Sequence, residues 1–343
     1  MLTRQRIASY GIPTAAAATI VTAALLSQGG GEPGPKPPTA PVIEEPRIVE
    51  TSKGTQIDVV FAVDTTGSMG GLLDGAKRTV WSIASHIRKT DPNANLRIGL
   101  VAYRDVGDDY ITRPYMLSPD LDAVFSELSS YEASGGGDTP ENVDAALDDT
   151  LHKMQWRPGA KKLVFLVGDA PPASRGDVPT FDRLAKEAVG KGITINTIRC
   201  GTDHATAQAF QQIASISHGE FSSIVQDGGV QQIATPYDDK LAELSARVDA
   251  TSIIVGDEGS RRKYAAKMAA ADAAPAAAKA DRAGYFASKG PGEGRASDDL
   301  VGGVATGAMS IDTVEQSALP VDLRGKDKAE LKAEVEKRVK ERT

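Results

Sequence analysis

The run Ile57-Asp58-Val59-Val60-Phe61-Ala62-Val63-Asp64-Thr65-Thr66-Gly67-Ser68-Met69 decides the fold of this chain. Its first half is almost wholly apolar and rich in β-branched residues, the composition of a strand covered on both faces. It then breaks into a carboxylate and two hydroxyls at alternate positions, with Gly67 letting the turn fold tightly. Asp64, Thr66 and Ser68 are thereby expected to aim their oxygens at one place.

Further apolar runs lie at 96–103, 163–167 and 193–198, and helical patterns at 68–88, 121–131, 140–154, 181–189, 205–216 and about 230–248. Strands alternating with helices predict an α/β, doubly wound, mostly parallel sheet with helices on both faces, Rossmann-like in its layering. Ligands of such sheets gather at the carboxyl ends of the strands. A second strand end, Gly168-Asp169, brings another carboxylate to that edge if its strand neighbours the first. A third piece is the loop Gly135-Gly136-Gly137-Asp138-Thr139-Pro140-Glu141, whose glycines permit close approach. Oxygen-only donors suit a hard cation, magnesium (Mg2+) first, with Mn2+ or Ca2+ as substitutes. Ser68 and Thr139 are also placed to act merely as helix caps, Thr139 standing ahead of Pro140.

Asp64-Thr65-Thr66-Gly67-Ser68 resembles the Asp-x-Ser/Thr-x-Ser signature of von Willebrand factor type A (VWA) domains. That family's metal-ion-dependent adhesion site adds a threonine from a later loop and an aspartate after the fourth strand, positions that Thr139 and Asp169 match. The resemblance covers residues from about 55 to 250. It implies a metal held by Asp64, Thr66, Ser68, Thr139 and Asp169, with a glutamate or aspartate of a partner protein completing the coordination. No general base, nucleophile or hydride acceptor accompanies these residues in the sequence.

Other residues at the same edge are candidates for lesser roles. Arg104 and Asp105 end the second strand and are expected either to contact the partner or to lie in a solvated loop. Asp138 and Glu141 read as residues behind the ligands or at a helix start. Arg175-Gly176-Asp177 spells a tripeptide known from integrin recognition and is read as chance. Cys200, the one cysteine, is expected to be buried and inert. The four histidines have no ligand spacing.

The whole chain has 343 residues, 39 basic and 46 acidic, for a net charge of −7. The excess acid lies in residues 51–250, which carry 19 basic and 27 acidic residues. That balance argues against nucleic acid and is compatible with a cation. Arg4 and Arg6 precede an uncharged stretch at 7–26, so residues 1–26 are expected to be a signal peptide or signal anchor, placing the protein outside the cytoplasm. Membrane attachment would run only through that segment, if it is not cleaved. Residues 27–52 read as a Gly/Pro-rich linker and 53–250 as the α/β domain. Residues 251–343 read as an Ala-rich, low-complexity helical spacer ending in a charged helix whose thin stripe of Leu331, Val335 and Val339 suits docking on the domain or on a partner.

The expected function is that of a metal-dependent protein-binding or adhesion module rather than an enzyme. An intracellular regulatory subunit of a chelatase-like ATPase complex is the alternative. A haloacid-dehalogenase-type phosphatase fits less well, because Thr66 stands where its second acid would be.

Overall fold

A computed structural model describes residues 54–137, 139–175, 177–224, 235–290 and 295–343. The expected leader at 1–26 and linker at 27–52 lie outside the described residues. Among the described residues no helix is long and apolar enough to cross a membrane.

A six-stranded sheet forms the centre, built from β1 (Gln56–Asp64), β2 (Asn95–Tyr103), β3 (Thr112–Ser118), β4 (Lys161–Gly168), β5 (Ile193–Cys200) and β6 (Phe221–Ile224). Its order is β3-β2-β1-β4-β5-β6. All neighbours are parallel except β2 and β3, so a single antiparallel strand closes one edge. The doubly wound layering is as expected. Sequence reading misses both edge strands for local reasons. Pro114 removes a ladder donor from β3, which marks an edge strand rather than an interior one, and β6 has only four residues.

Successive side chains of β1 point to opposite faces. Val60 and Ala62 pack with Val101, Val164, Leu147, Leu184 and Phe210, under α3 (Val143–His152), α4 (Phe181–Gly190) and α5 (His204–Ile216). Val59 and Val63 pack with Leu100, Trp81 and Phe125, under α1 (Gly70–Thr90) and α2 (Leu121–Ser129). At the amino end of β1, Asp58 is fully buried and clamped by Arg97 at 2.8 and 3.0 Å and by the backbone and side chain of Arg157, each at 2.9 Å.

Residues 251–343 are helical as expected, but they are not a spacer. α6 (Asp238–Ala250) is followed by α7 (Glu258–Ala273) and α8 (Ala276–Lys289). Tyr285 and Phe286 of α8 join the cluster around Trp81, with ring centroids 5.7 and 5.9 Å from the indole. Alanines let α8 lie close, and the two aromatic residues supply the apolar area that a low-complexity reading overlooks. Farther on, α9 (Leu300–Thr306) and α10 (Lys328–Arg342) enclose a separate small core of Ile253, Leu300, Val301, Leu319, Leu323, Leu331 and Val335. The stripe on α10 is thus spent within the chain.

One buried ion network ties these helices to the domain. Arg282 of α8 grips Asp122 of α2 at 2.6 and 2.8 Å and reaches Asp249 of α6 at 2.7 Å. Arg282→Ala strands Asp122 in the interior and is expected to lower the unfolding free energy in urea by about 3–5 kcal/mol. Arg282→Met combined with Asp122→Leu should lose much less, since Asp249 keeps Arg295 at 2.9 Å. An unchanged urea midpoint in Arg282→Ala would mean that this docking does not hold in solution.

Candidate functional site

The carboxyl ends of β1, β2 and β4 meet at one edge. Asp64, last residue of β1, stands in register with Tyr103 of β2, and the neighbouring Val63 with Val167 of β4. Beyond it the chain alternates. Thr65 turns inward: its hydroxyl donates to the Tyr103 carbonyl at 3.1 Å and lies 2.7 Å from the Tyr110 hydroxyl. Thr66 faces the other way, its amide and hydroxyl donating to Asp64 Oδ1 at 2.8 and 2.7 Å, with Ser68 Oγ 3.3 Å from its own. The three oxygen-bearing side chains therefore converge as the spacing predicts.

Two further loops are fastened to this turn. Gly67 donates its amide to Gly135 at 3.2 Å and Ser134 donates to Thr65 at 3.1 Å. Gly136 holds φ +76 against Thr66, where a Cβ would come within 2.9 Å of the threonine Cβ and 3.2 Å of Glu141 Oε1. Only glycine meets both demands there. Glu141, buried, donates its amide to Pro171 and accepts from Ala173, joining the glycine loop to the segment after Asp169. Thr139 lies exposed between these fixed points. Asp169 anchors the start of α5 through its carbonyl, which accepts from the Thr206 hydroxyl at 3.1 Å.

Neither hydroxyl candidate is the N-cap of the α-helix that follows it. The cap of α3 is Asn142, whose side chain accepts from the Ala145 amide, and α1 begins after Met69 with no side-chain cap. The helix expected from residue 140 thus starts at Val143, leaving Thr139 in the loop.

The electrostatics single out Asp64. It is fully buried, and Oδ2 has no hydrogen-bond partner of normal geometry among the described residues. Burial pushes its pKa up to about 7, against the pull of the Thr66 hydroxyl and amide and of the Asp169 amide, with the charge of Asp169 adding to the rise. Asp58 on the same strand shows the contrast. Burial works against its ionised form too, but the bonds from Arg97 and Arg157 outweigh it and hold the carboxyl below its ordinary range. Cys200 is buried nearby, and burial, reinforced by Asp169 and Asp64, raises its thiol well above the usual value. It stays protonated and inert, as expected of it.

The family model of the von Willebrand factor type A domain matches residues 58–236, just over half of the chain. The chain belongs to that family. Type A domains are in general non-catalytic protein-interaction modules. A curated relative is an ariadne-like RING finger protein of Acanthamoeba polyphaga mimivirus, 30% identical over 131 residues, which are 38% of this chain and 12% of that protein. Another is the alpha-protein kinase vwkA of Dictyostelium discoideum, 26% identical over 117 residues, 34% of this chain and 18% of the kinase. The chain therefore spans less than a fifth of the length of either. Among solved structures, proximal thread matrix protein 1 of the mussel byssus, with a zinc-occupied metal-ion-dependent adhesion site, aligns at TM-score 0.41 and 17% identity over 51% of this chain and 43% of its own.

The residues present fit a divalent cation. Among the described residues no cluster of three or more His, Cys, Asp and Glu side chains is arranged to hold a metal, and at this edge hydroxyls stand beside the acid side chain. Thr66 and Ser68 supply them beside a buried carboxylate oxygen that lacks a donor. Of the accessory candidates, Glu141 comes to the site, whereas Asp138 lies outside the described residues. Arg104 and Asp105 are neither solvated nor displayed. Arg104 is buried, donating to the Thr65 and Glu132 carbonyls at 3.1 and 2.9 Å beneath the Tyr110 ring, and Asp105 pairs with Arg175. Arg175 thus serves as a brace rather than as part of an exposed tripeptide. Asp108, whose carboxylate accepts from the Gly136 amide at 3.1 Å, is a further loop anchor that no spacing rule reveals.

Because Asp64 titrates higher in the folded chain than its ordinary 3.8, the folded state holds the extra proton between about pH 4 and 7. Without metal, stability should therefore fall as pH rises through that window. A cation displaces the proton, so magnesium should raise the thermal midpoint more at pH 8 than at pH 5.5. In Asp64→Asn the metal-free decline should flatten and the magnesium response disappear, as read by calorimetric melting. Equal magnesium shifts at both pH values would rule out Asp64 as a ligand.

Proposed function

We propose that this chain binds a protein partner through a divalent cation, magnesium by preference, held by Asp64, Thr66, Ser68, Thr139 and Asp169. The observation that carries the reading is the buried, uncompensated Asp64 carboxylate with two hydroxyls converging on it. When bound, the cation supplies a Lewis-acidic centre with room for a Glu or Asp carboxylate of the partner. The chain's own residues do the rest. Asp64 and Asp169 balance the charge of the ion, while the neutral hydroxyls leave it short of anionic ligands and so receptive to a third carboxylate. Glu141 stands behind Thr66 and fixes the glycine loop, and Arg104 and Asp105 hold the loops rather than touch the partner.

The surface around this centre suits a protein. Val106 and Ile111, in the loop after β2 at the same edge, are 50% and 39% exposed, an apolar border to a polar centre of the kind that macromolecular contacts use. Among the described residues the site includes no activated nucleophile, since burial keeps Cys200 a thiol, and the reading is of binding without turnover. We place the protein outside the cytoplasm on the strength of the basic and uncharged stretch at residues 4–26, with a membrane link only through that segment.

Two measurements test the reading on the full chain. Mn2+ titrated into the protein should lose its free-ion electron paramagnetic resonance signal at stoichiometric addition, and should not in Asp64→Ala. Affinity capture from envelope extract with magnesium should retain a partner that EDTA and Asp64→Ala each reduce by about tenfold or more. Capture indifferent to both treatments would sink the metal-bridged mechanism.

A further inference from the structure

The connection from β2 to β3, residues 104–111, carries none of the candidate ligands, yet it touches every segment that does. Tyr110 places its hydroxyl 2.7 Å from that of Thr65 in the β1 turn. Asp105 pairs with Arg175 in the segment that follows Asp169, and Asp108 reaches across to the glycine loop that leads to Thr139. The connection also holds its own shape. Arg104 donates its amide to the Ile111 carbonyl at 2.9 Å across the base. Nearer the tip, the Asp108 amide donates to the Asp105 carbonyl at 3.4 Å while its carboxylate accepts from the Asp105 amide at 3.3 Å.

Asp108 has the most specific place in this arrangement. Both of its oxygens lie 3.1 Å from the Gly136 nitrogen, whose N–H donates to them. Gly135 and Gly136, at φ +75 and +76, let the backbone come this near: a Cβ on Gly135 would overlap the Asp108 carboxylate, and one on Gly136 would press on Thr66. Gly136 is thus wedged between Asp108 and Thr66. On the far side of Thr139, Glu141 donates its amide to the Pro171 carbonyl at 3.0 Å and accepts from the Ala173 amide at 2.8 Å. Thr139 is exposed and rides on the short span between these two anchors. The anchor at Glu141 is backbone to backbone, as is that of Gly135 to Gly67 at 3.2 Å, whereas the anchor at Gly136 depends on a side chain.

We infer that Asp108 is a positioning residue for the cation site: by accepting from the Gly136 amide it fixes where the loop presents the Thr139 hydroxyl, a role that depends on the metal reading proposed for this edge. It acts through the loop rather than as a ligand, its two oxygens being occupied by the Gly136 and Asp105 amides. The groups it holds are neutral amides, so an acceptor oxygen of the same reach is what the position requires. The gain is preorganisation, since a loop already in its binding shape loses less freedom when the ion orders it.

The test is Mn2+ binding to the full chain, read from the free-ion electron paramagnetic resonance signal, in Asp108→Ala, Asp108→Asn, Thr139→Ala and the double variant of Asp108→Ala with Thr139→Ala. The metal-free thermal midpoint of each confirms that it is folded. Asp108→Ala should weaken Mn2+ binding by about fivefold or more, the worth of one lost hydrogen bond. Asp108→Asn, whose amide oxygen still accepts from Gly136, should stay within about twofold of the parent chain. In the Thr139→Ala background, Asp108→Ala should add less than about twofold, because a residue that acts through Thr139 has nothing left to position. A merely structural role would weaken both backgrounds alike. If Asp108→Ala does not fold, Asp108→Ser, whose hydroxyl ends one bond short of the carboxylate oxygens, takes its place. The inference is overturned if Asp108→Ala binds Mn2+ like the parent chain, if Asp108→Asn weakens binding as much as Asp108→Ala, or if the effects of Asp108→Ala and Thr139→Ala multiply. Asp64→Ala keeps this apart from the metal reading itself. Parent-like Mn2+ binding in Asp64→Ala sinks that reading, whereas loss there beside parent-like binding in Asp108→Ala sinks only the role given to Asp108.

Discussion

Asp64 is a carboxylate that the fold buries at the end of its middle strand without a counter-charge, and the loops above it are built around that condition. An ionised carboxylate in such a place is costly unless it is paired or hydrogen-bonded. Here it is given only neutral partners, the amide and hydroxyl of Thr66 and the amide of Asp169. Asp58, six residues earlier and equally buried, receives two arginines. The same residue type on the same strand is thus neutralised at the amino end and left dependent on its proton at the carboxyl end. Parallel topology explains why the difference falls where it does, since the chain leaves β1, β2 and β4 at the same carboxyl edge and the loops that follow these strands converge there.

The rigidity of that edge comes from contacts hidden below it. Thr65, Tyr103 and Tyr110 share hydrogen bonds, Arg104 ties the β1 turn to Glu132, and Asp108 and Glu141 pin the two ends of the glycine loop. None of these side chains needs to meet a ligand to matter. By fixing backbone amides and carbonyls they hold the Thr66 and Ser68 hydroxyls in place, and preorganisation of this kind lowers what ordering would otherwise cost on binding.

The sequence made the centre of the sheet legible because β1, β2, β4 and β5 are buried on both faces and their composition says so. It also made Asp64, Thr66 and Ser68 legible, because an alternating strand end projects in a known direction. What it hid was of two kinds. Arg104 and Asp105 look like loop polar residues, and their burial depends on Tyr110 and Arg175, which approach from other loops with no fixed spacing. The alanines of residues 265–280 look like filler, and only the pairing of Arg282 with Asp122, 160 residues away in sequence, turns them into a docked surface. Long-range ion pairs leave no periodic trace in a chain, so composition alone gives the wrong role for the C-terminal third while giving its helicity correctly.

Several other buried charges among the described residues are matched. Arg342 meets Asp299 at 2.8 Å, Arg282 meets Asp122 and Asp249, and Asp105 meets Arg175. Asp144 is a partial exception, with one oxygen lacking a donor and burial pushing its pKa up to about 6. It sits in the first turn of α3, however, where the helix dipole favours negative charge, and the described contacts gather no other oxygens around it. Asp64 differs from Asp144 in the company it keeps, with hydroxyls converging beside its carboxylate. Burying that carboxylate without a counter-charge gains nothing in stability, which is the physical reason to regard it as a seat for a cation.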